Sequence, residues 1–181
     1  MTPSWLLALV LALGPRGPDD ASRLTAVADD IWTASESRPA FCGPAAAEAT
    51  AILLATVADH ESGWRAGVQD CSLCVPGGQW CDHGLSAALW QLRRGGMWRT
   101  DEERAEICAD NAVATRLALS LLRRYRRENT IEGMLRGYAS GWTSQRSKAA
   151  ADMATLFGRL SGKLRLRVGY LNGCMHAEIK P

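Results

Sequence analysis

"PAAAEATAILLATVADHESGW", residues 44–64, decides how the rest of the chain is read. Pro44 suits a first helical turn, strong helix formers follow it, and Gly63 can take the left-handed position that ends a helix. Helical spacing lines up Leu53, Val57 and Glu61 on one stripe, so a face made for burial ends in a carboxylic acid. An acid so placed loses hydration when it ionises, and the negative end of its own helix opposes the charge; both effects raise its pKa. A carboxyl that stays protonated near neutrality can donate to a poor leaving group. The plain alternative is a Glu at a fraying helix end, turned to solvent or paired with Arg65.

Outward from this helix the chain reads as mostly α. "DDASRLTAVADDIWTA" opens on Asp19 and Asp20 and carries Leu24, Val27, Ile31 and Ala34 at helical spacing, so a helix is expected that stops before Pro39. Thr100 and Glu103 form a capping box for one long helix with Ile107, Ala114, Leu117 and Leu121 inward and a basic last turn at Arg123-Arg124. Asn129 with Glu132 predicts a second box, for a short helix ending near Tyr138. A further helix carries Ala149, Met153, Leu156, Phe157 and Leu160 on one face. The tail then alternates Leu164, Leu166, Val168 and Tyr170 and turns at Asn172-Gly173, which predicts a β-hairpin. Residues 66–83, with Pro-Gly-Gly and three cysteines, read as a constrained loop or small hairpin.

Length and composition point to one domain with one core: 181 residues, 47% of them hydrophobic. The net charge of +2 comes from interspersed signs, which argues against nucleic acid as a partner. The apolar run from Trp5 to Leu13 is too short to span a membrane. Residues 1–18 are therefore either a signal peptide or a buried apolar first helix, 19–162 the main domain, and 163–181 an extension holding the hairpin.

Six cysteines, Cys42, Cys71, Cys74, Cys81, Cys108 and Cys174, suit pairing in an oxidising compartment. Cys71 or Cys74 with Cys81 is the pair that local geometry most readily permits. Cys71, Cys74, Cys81 and His83 also make a Cys3His set that zinc could take.

Three stretches in order, "HESGW", "HGLSAALWQL" and "GYASGW", resemble the muramidase pattern of lytic transglycosylases and goose-type lysozymes. Glu61 and Ser62, with Trp64 behind them, match the helix end that holds the family's catalytic acid. Leu89 and Gln91 match its "GLMQ"-like cleft segment, and Tyr138 and Gly141 its "YNxG"-like segment. The chain departs at Ala88, where the family has Gly, and at Ala139, where it has Asn. The resemblance implies an α+β, predominantly α-helical, lysozyme-like fold, with Ser62, Trp64, Leu89, Gln91 and Tyr138 binding substrate.

The implied substrate is the peptidoglycan glycan strand, cut at its MurNAc-GlcNAc β-1,4 bond with no cofactor and no metal. The transglycosylase branch needs one acid and leaves 1,6-anhydro ends. A hydrolytic, goose-type branch needs a second carboxylate, for which Asp70 and Asp82 are the candidates and Asp59 a weaker one. Loop aspartates are more often turn formers. A non-catalytic wall-binding module, or a zinc-stabilised helical one, is the competing class. One or two of Trp64, Trp80, Trp90, Trp98 and Trp142 are expected to stack on sugar. His60 and His83 are expected to serve structure, and the basic pairs Arg93-Arg94 and Arg123-Arg124 either a solvated helix face or attraction of an anionic wall polymer. The implied setting is secreted, periplasmic or cell-envelope, phage-associated lysins included.

Overall fold

The structure, a computed structural model, describes residues 1–15, 17, 19–125, 128–140 and 147–180. These are mostly helical, with small two-stranded sheets. The chain packs as two units, Met1–Thr33 with Val57–Ala118, and Ala34–Thr56 with Leu119–Pro181.

In the first unit, α1 (Ser4–Leu13) buries Leu6 and Val10. Its Trp5 meets Trp32 of α2 (Asp20–Ser37) edge to face, with ring centroids 6.2 Å apart. The apolar stripe expected on α2 is inside: Leu24, Val27, Ile31 and Ala34 are all buried. Both α2 and α3 (Ala46–Ser62) contribute residues to each unit, and the last turns of α3, from Val57, belong to the first.

After α3 the loop makes two single turns, α4 (Ala66–Gln69) and α5 (Cys81–Gly84). A tight hairpin follows, β1 (Ser86–Ala87) paired antiparallel with β2 (Leu92–Arg93). No helix among the described residues is long and apolar enough to cross a membrane.

The long helix expected from Thr100 is two helices. Thr100 and Glu103 do form the capping box of α6 (Asp101–Ala109). Asp110 then leaves helical geometry, and its carboxylate accepts the backbone N–H groups of Ala112 and Val113 at 2.8 and 3.1 Å, starting α7 (Asn111–Arg124). A short acidic side chain that caps the next helix competes with continuation of the first.

In the second unit, α8 (Ile131–Ser140) is capped by Thr130, whose hydroxyl accepts Gly133 N–H at 3.0 Å. The Asn129–Glu132 box expected there is thus shifted by one residue, and Glu132 instead pairs with Arg136 at 2.9 Å, one helical turn on. The partner of α8 is α9 (Lys148–Lys163), which begins at Ser147, whose hydroxyl accepts from Ala150, and buries Met153, Phe157 and Leu160. Phe157 stacks on Phe41 at 6.0 Å.

The C-terminal hairpin forms as expected. Strand β3 (Leu166–Leu171) pairs with β4 (Cys174–Ile179), with Leu171 opposite Cys174 and Asn172-Gly173 as the two-residue turn. Both turn residues have positive φ, which is why Asn-Gly suits this position. Residues 42–45 add to the outer edge of β4: Cys42 N–H donates to Met175 O, and Ala177 N–H to Cys42 O, both at 2.8 Å. Gly43 is needed in this approach, because its φ is +96° and a Cβ there would lie 2.6 Å from Ala177 O.

All six cysteines are disulfide-bonded: Cys42–Cys174, Cys71–Cys108 and Cys74–Cys81. The Cys74–Cys81 link is one of the two local pairings expected. The same pairing corrects the zinc alternative, since Cys71, Cys74 and Cys81 have no thiolate left for a metal.

Candidate active site

Glu61 stands in the last turn of α3, and the chain around it is locked. Ser62 Oγ donates to Ala58 O at 2.6 Å and accepts the backbone N–H of Trp64 at 3.1 Å. Gly63, at φ +55°, ends the helix in the left-handed region and donates to Asp59 O. Trp64 follows at φ +59°, a conformation a bulky residue adopts only when its surroundings hold it there. They do. Its indole Nε1–H donates to Asp59 Oδ1 at 3.1 Å, and its carbonyl accepts from Arg23 Nη2 at 2.8 Å.

Glu61 keeps some surface, but burial raises its pKa from 4.5 to about 7. The surface alternative named Arg65 as its partner. Instead Arg65 donates to Ser62 O at 2.9 Å, and its guanidinium lies 4.3 Å over the ring of Trp80. Among the described residues no cation forms an ion pair with Glu61. The group is thus half protonated near neutrality, which lets one carboxyl both release and recover a proton.

The segment Ala88–Gln91 forms the tip between β1 and β2. Leu89 and Trp90 are fully buried, and Gln91 alone of the four keeps a partly open surface. Its side-chain nitrogen lies 3.6 Å from Cys81 Sγ and 3.5 Å from Ala88 O. Ala88 and Gln91 have φ of +59° and +49°.

The departure at Ala88 therefore leaves the backbone where a glycine would sit, with the Ala88 N–H turned to Cys71 Sγ at 3.4 Å. Left-handed geometry disfavours Ala by about 1–2 kcal/mol, partly offset by the extra chain entropy glycine loses on folding. Ala88→Gly is expected to stabilise the protein by about 0.5–1 kcal/mol in urea unfolding. A loss of stability would show that the Ala88 methyl packs better than its backbone fits.

Several expected substrate contacts need correction. Ser62, Trp64 and Leu89 are buried, at 2% exposure or less, and have essentially no surface to offer a ligand. Ser62 and Trp64 position the helix end that carries Glu61, and Leu89 fills the core beneath the hairpin tip. Trp90 and Trp98 are buried as well, which leaves Trp80, under Arg65, as the partly exposed indole among the first-unit tryptophans expected to stack on sugar.

Tyr138 lies on α8 in the second unit, whereas Gly141 and Trp142 lie outside the described residues. Asp70 shapes a turn, accepting Ser72 N–H at 2.9 Å, and exposed Asp82 pairs with Arg93 at 3.0 Å. Asp59 is engaged with Trp64. His83 Nδ1 sits 2.9 Å from Gly78 O, in keeping with a structural part.

Arg23 escaped sequence reading. It reaches Gln69 Oε1 at 2.7 Å, Trp64 O at 2.8 Å and Asp20 Oδ1 at 2.6 Å, and so braces the turn after Glu61 from α2. Its targets lie 46 and 41 positions away for the first two contacts, and no local pattern announces such a reach. Compared with protein-family models, curated proteins and solved structures, the chain matches none.

Proposed function

We propose that the protein is a peptidoglycan-cleaving muramidase of lysozyme-like fold, acting on the MurNAc-GlcNAc β-1,4 bond as a lytic transglycosylase, with Glu61 as its single acid and base. The observation that carries this reading is Glu61 itself, raised by burial to a pKa of about 7 at a helix end that Ser62, Trp64 and Arg23 hold in place. In its protonated form Glu61 donates to the glycosidic oxygen as the C1–O bond breaks. The 2-acetamido group of the muramyl residue supports the positive centre. The resulting carboxylate then takes the proton of the 6-hydroxyl as that oxygen bonds to C1, and the acid is regenerated.

The turn-forming and ion-paired states of Asp70 and Asp82 favour this single-acid route over one that activates water. Gln91, open at the hairpin tip, is the proposed sugar-binding group that retains surface in the unit holding Glu61. Three disulfides suit work outside the reducing cytosol, in the secreted, periplasmic or envelope setting of a wall enzyme, or in a phage lysin.

Mass spectrometry of glycans released from purified wall tests the reading. Anhydro-muramyl ends are expected. Reducing ends alone would replace transglycosylation with hydrolysis, and wall binding without release would replace the enzyme with a binding module.

A further inference from the structure

We propose that one face of the β3–β4 hairpin binds a short anionic peptide. The register sets Arg167 opposite Glu178, Gly169 opposite His176 and Leu171 opposite Cys174, all on one face. Arg167, Gly169, Leu171, His176 and Glu178, with Tyr170, line a hollow of about 190 Å³. That is below the roughly 300–1,000 Å³ of small-molecule clefts and suits a short length of chain with small side chains.

The hollow exists because Gly169 has no side chain, and a Cβ placed there would meet nothing within 4 Å. His176 forms its far wall, its imidazole lying against Gly43, where a Cβ would come 2.6 Å from Nε2. Residues 42–45 cover the outer edge of β4. Among the described residues, no backbone group of Leu166–Leu171 bonds beyond β4 and the hairpin. An open edge beside a side-chain hollow is the arrangement that accepts an extended peptide as an added strand.

Charge selects the kind of peptide. Residues 163–180 carry Lys163, Arg165, Arg167 and Lys180 against one acid, Glu178. Arg165 stands in the turn just before β3, at φ +54°, and Lys180 is held beside it by a 2.9 Å bond from its backbone N–H to Arg165 O, so both lie at the Arg167 end of the hairpin. The Arg167–Glu178 contact is loose, at 3.8 Å, and leaves the Arg167 side chain 69% exposed. Toward the turn this face becomes apolar at exposed Leu171, with Tyr170, of the opposite parity, at the rim of the hollow. A carboxylate at the arginine end and an alanine-sized side chain over Gly169 fit this sequence of surfaces. Wall stem peptides have both features. Naming them as the source rests on the muramidase reading, whereas binding of an acidic peptide does not.

The test is a two-dimensional NMR titration of the full chain with a synthetic, N-acetylated stem pentapeptide lacking sugar and net negative in charge: alanine, γ-linked glutamate, diaminopimelate and two alanines. Shifts are expected at Gly169, His176 and Arg167, with weaker binding as salt rises. Gly169→Val fills the hollow with a residue that strands favour and that meets no atoms, so it should fold as the wild type does and bind at least about tenfold more weakly. Unchanged binding by Gly169→Val, equal binding of an all-neutral pentapeptide, or no binding at all would overturn the proposal. Glu61→Gln titrated in parallel separates the two ideas. If it clears wall yet binds peptide at the hairpin, the muramidase reading fails and the site stands; if it is inactive and the wild type binds no peptide, the reverse holds.

Discussion

On the proposed muramidase reading, Glu61→Gln should clear cell wall about 10²–10⁴-fold more slowly than the wild type, the range for losing a general acid, while keeping its fold. The amide preserves the shape and removes the transferable proton. Near-wild-type clearing by this variant would end the assignment. The same substitution should raise stability at alkaline pH. Glu61 has a pKa of about 7 when folded against 4.5 as its ordinary value, so the folded state holds this proton more tightly than the unfolded state does.

The stabilising contribution of the protonated group is full below pH 4.5 and is lost as pH rises to about 7. Above that the buried charge costs up to about 3 kcal/mol, less whatever solvent reaches the partly open side chain. Urea unfolding of the two proteins at pH 4 and pH 8 checks the sign. Glu61→Gln should gain on the wild type between those values, and an equal difference at both would show that the acid is not buried in solution. Wall clearing should likewise decline above pH 7, as the donor form disappears.

Removing the Cys42–Cys174 disulfide as a double alanine variant should lower unfolding free energy by about 5 kcal/mol on the chain-entropy account. The reason is its span of 132 residues, against 37 for Cys71–Cys108 and 7 for Cys74–Cys81. On the same account the second is worth about 4 kcal/mol and the third about 2. A loss of about 5 kcal/mol is comparable to the whole stability of a modest protein. The variant should therefore unfold at markedly lower urea and release residues 42–45 from β4. Denaturant unfolding of the three double variants gives the order directly, and a smaller loss for Cys42–Cys174 than for Cys74–Cys81 would refute the account.

Sequence alone determined what short-range physics controls. The stop of α2 before Pro39, the end of α3 at Gly63, the Thr100–Glu103 box and the Asn172-Gly173 turn are each set by hydrogen bonds and dihedrals within a few residues. The apolar stripe that ends in Glu61 was readable for the same reason, because helical period alone places it.

Tertiary structure decided what depends on partners far along the chain. Cys71 could meet Cys108, and Cys42 Cys174, only once the helices and hairpin between them had packed. Asp110 was free to interrupt or continue a helix, and in the folded chain its carboxylate caps α7 while the neighbouring Asn111 bonds Asp30 at 2.7 Å, 81 positions away. Ser62, Trp64 and Leu89 carry the residue types of a substrate site, yet packing turns them inward. A motif specifies which side chains stand together, whereas burial depends on the surfaces the rest of the chain lays over them. The pKa of Glu61 divides along the same line: helical period put the acid on a core-facing stripe, and only the packed surroundings withdraw enough water to hold its proton up to about pH 7.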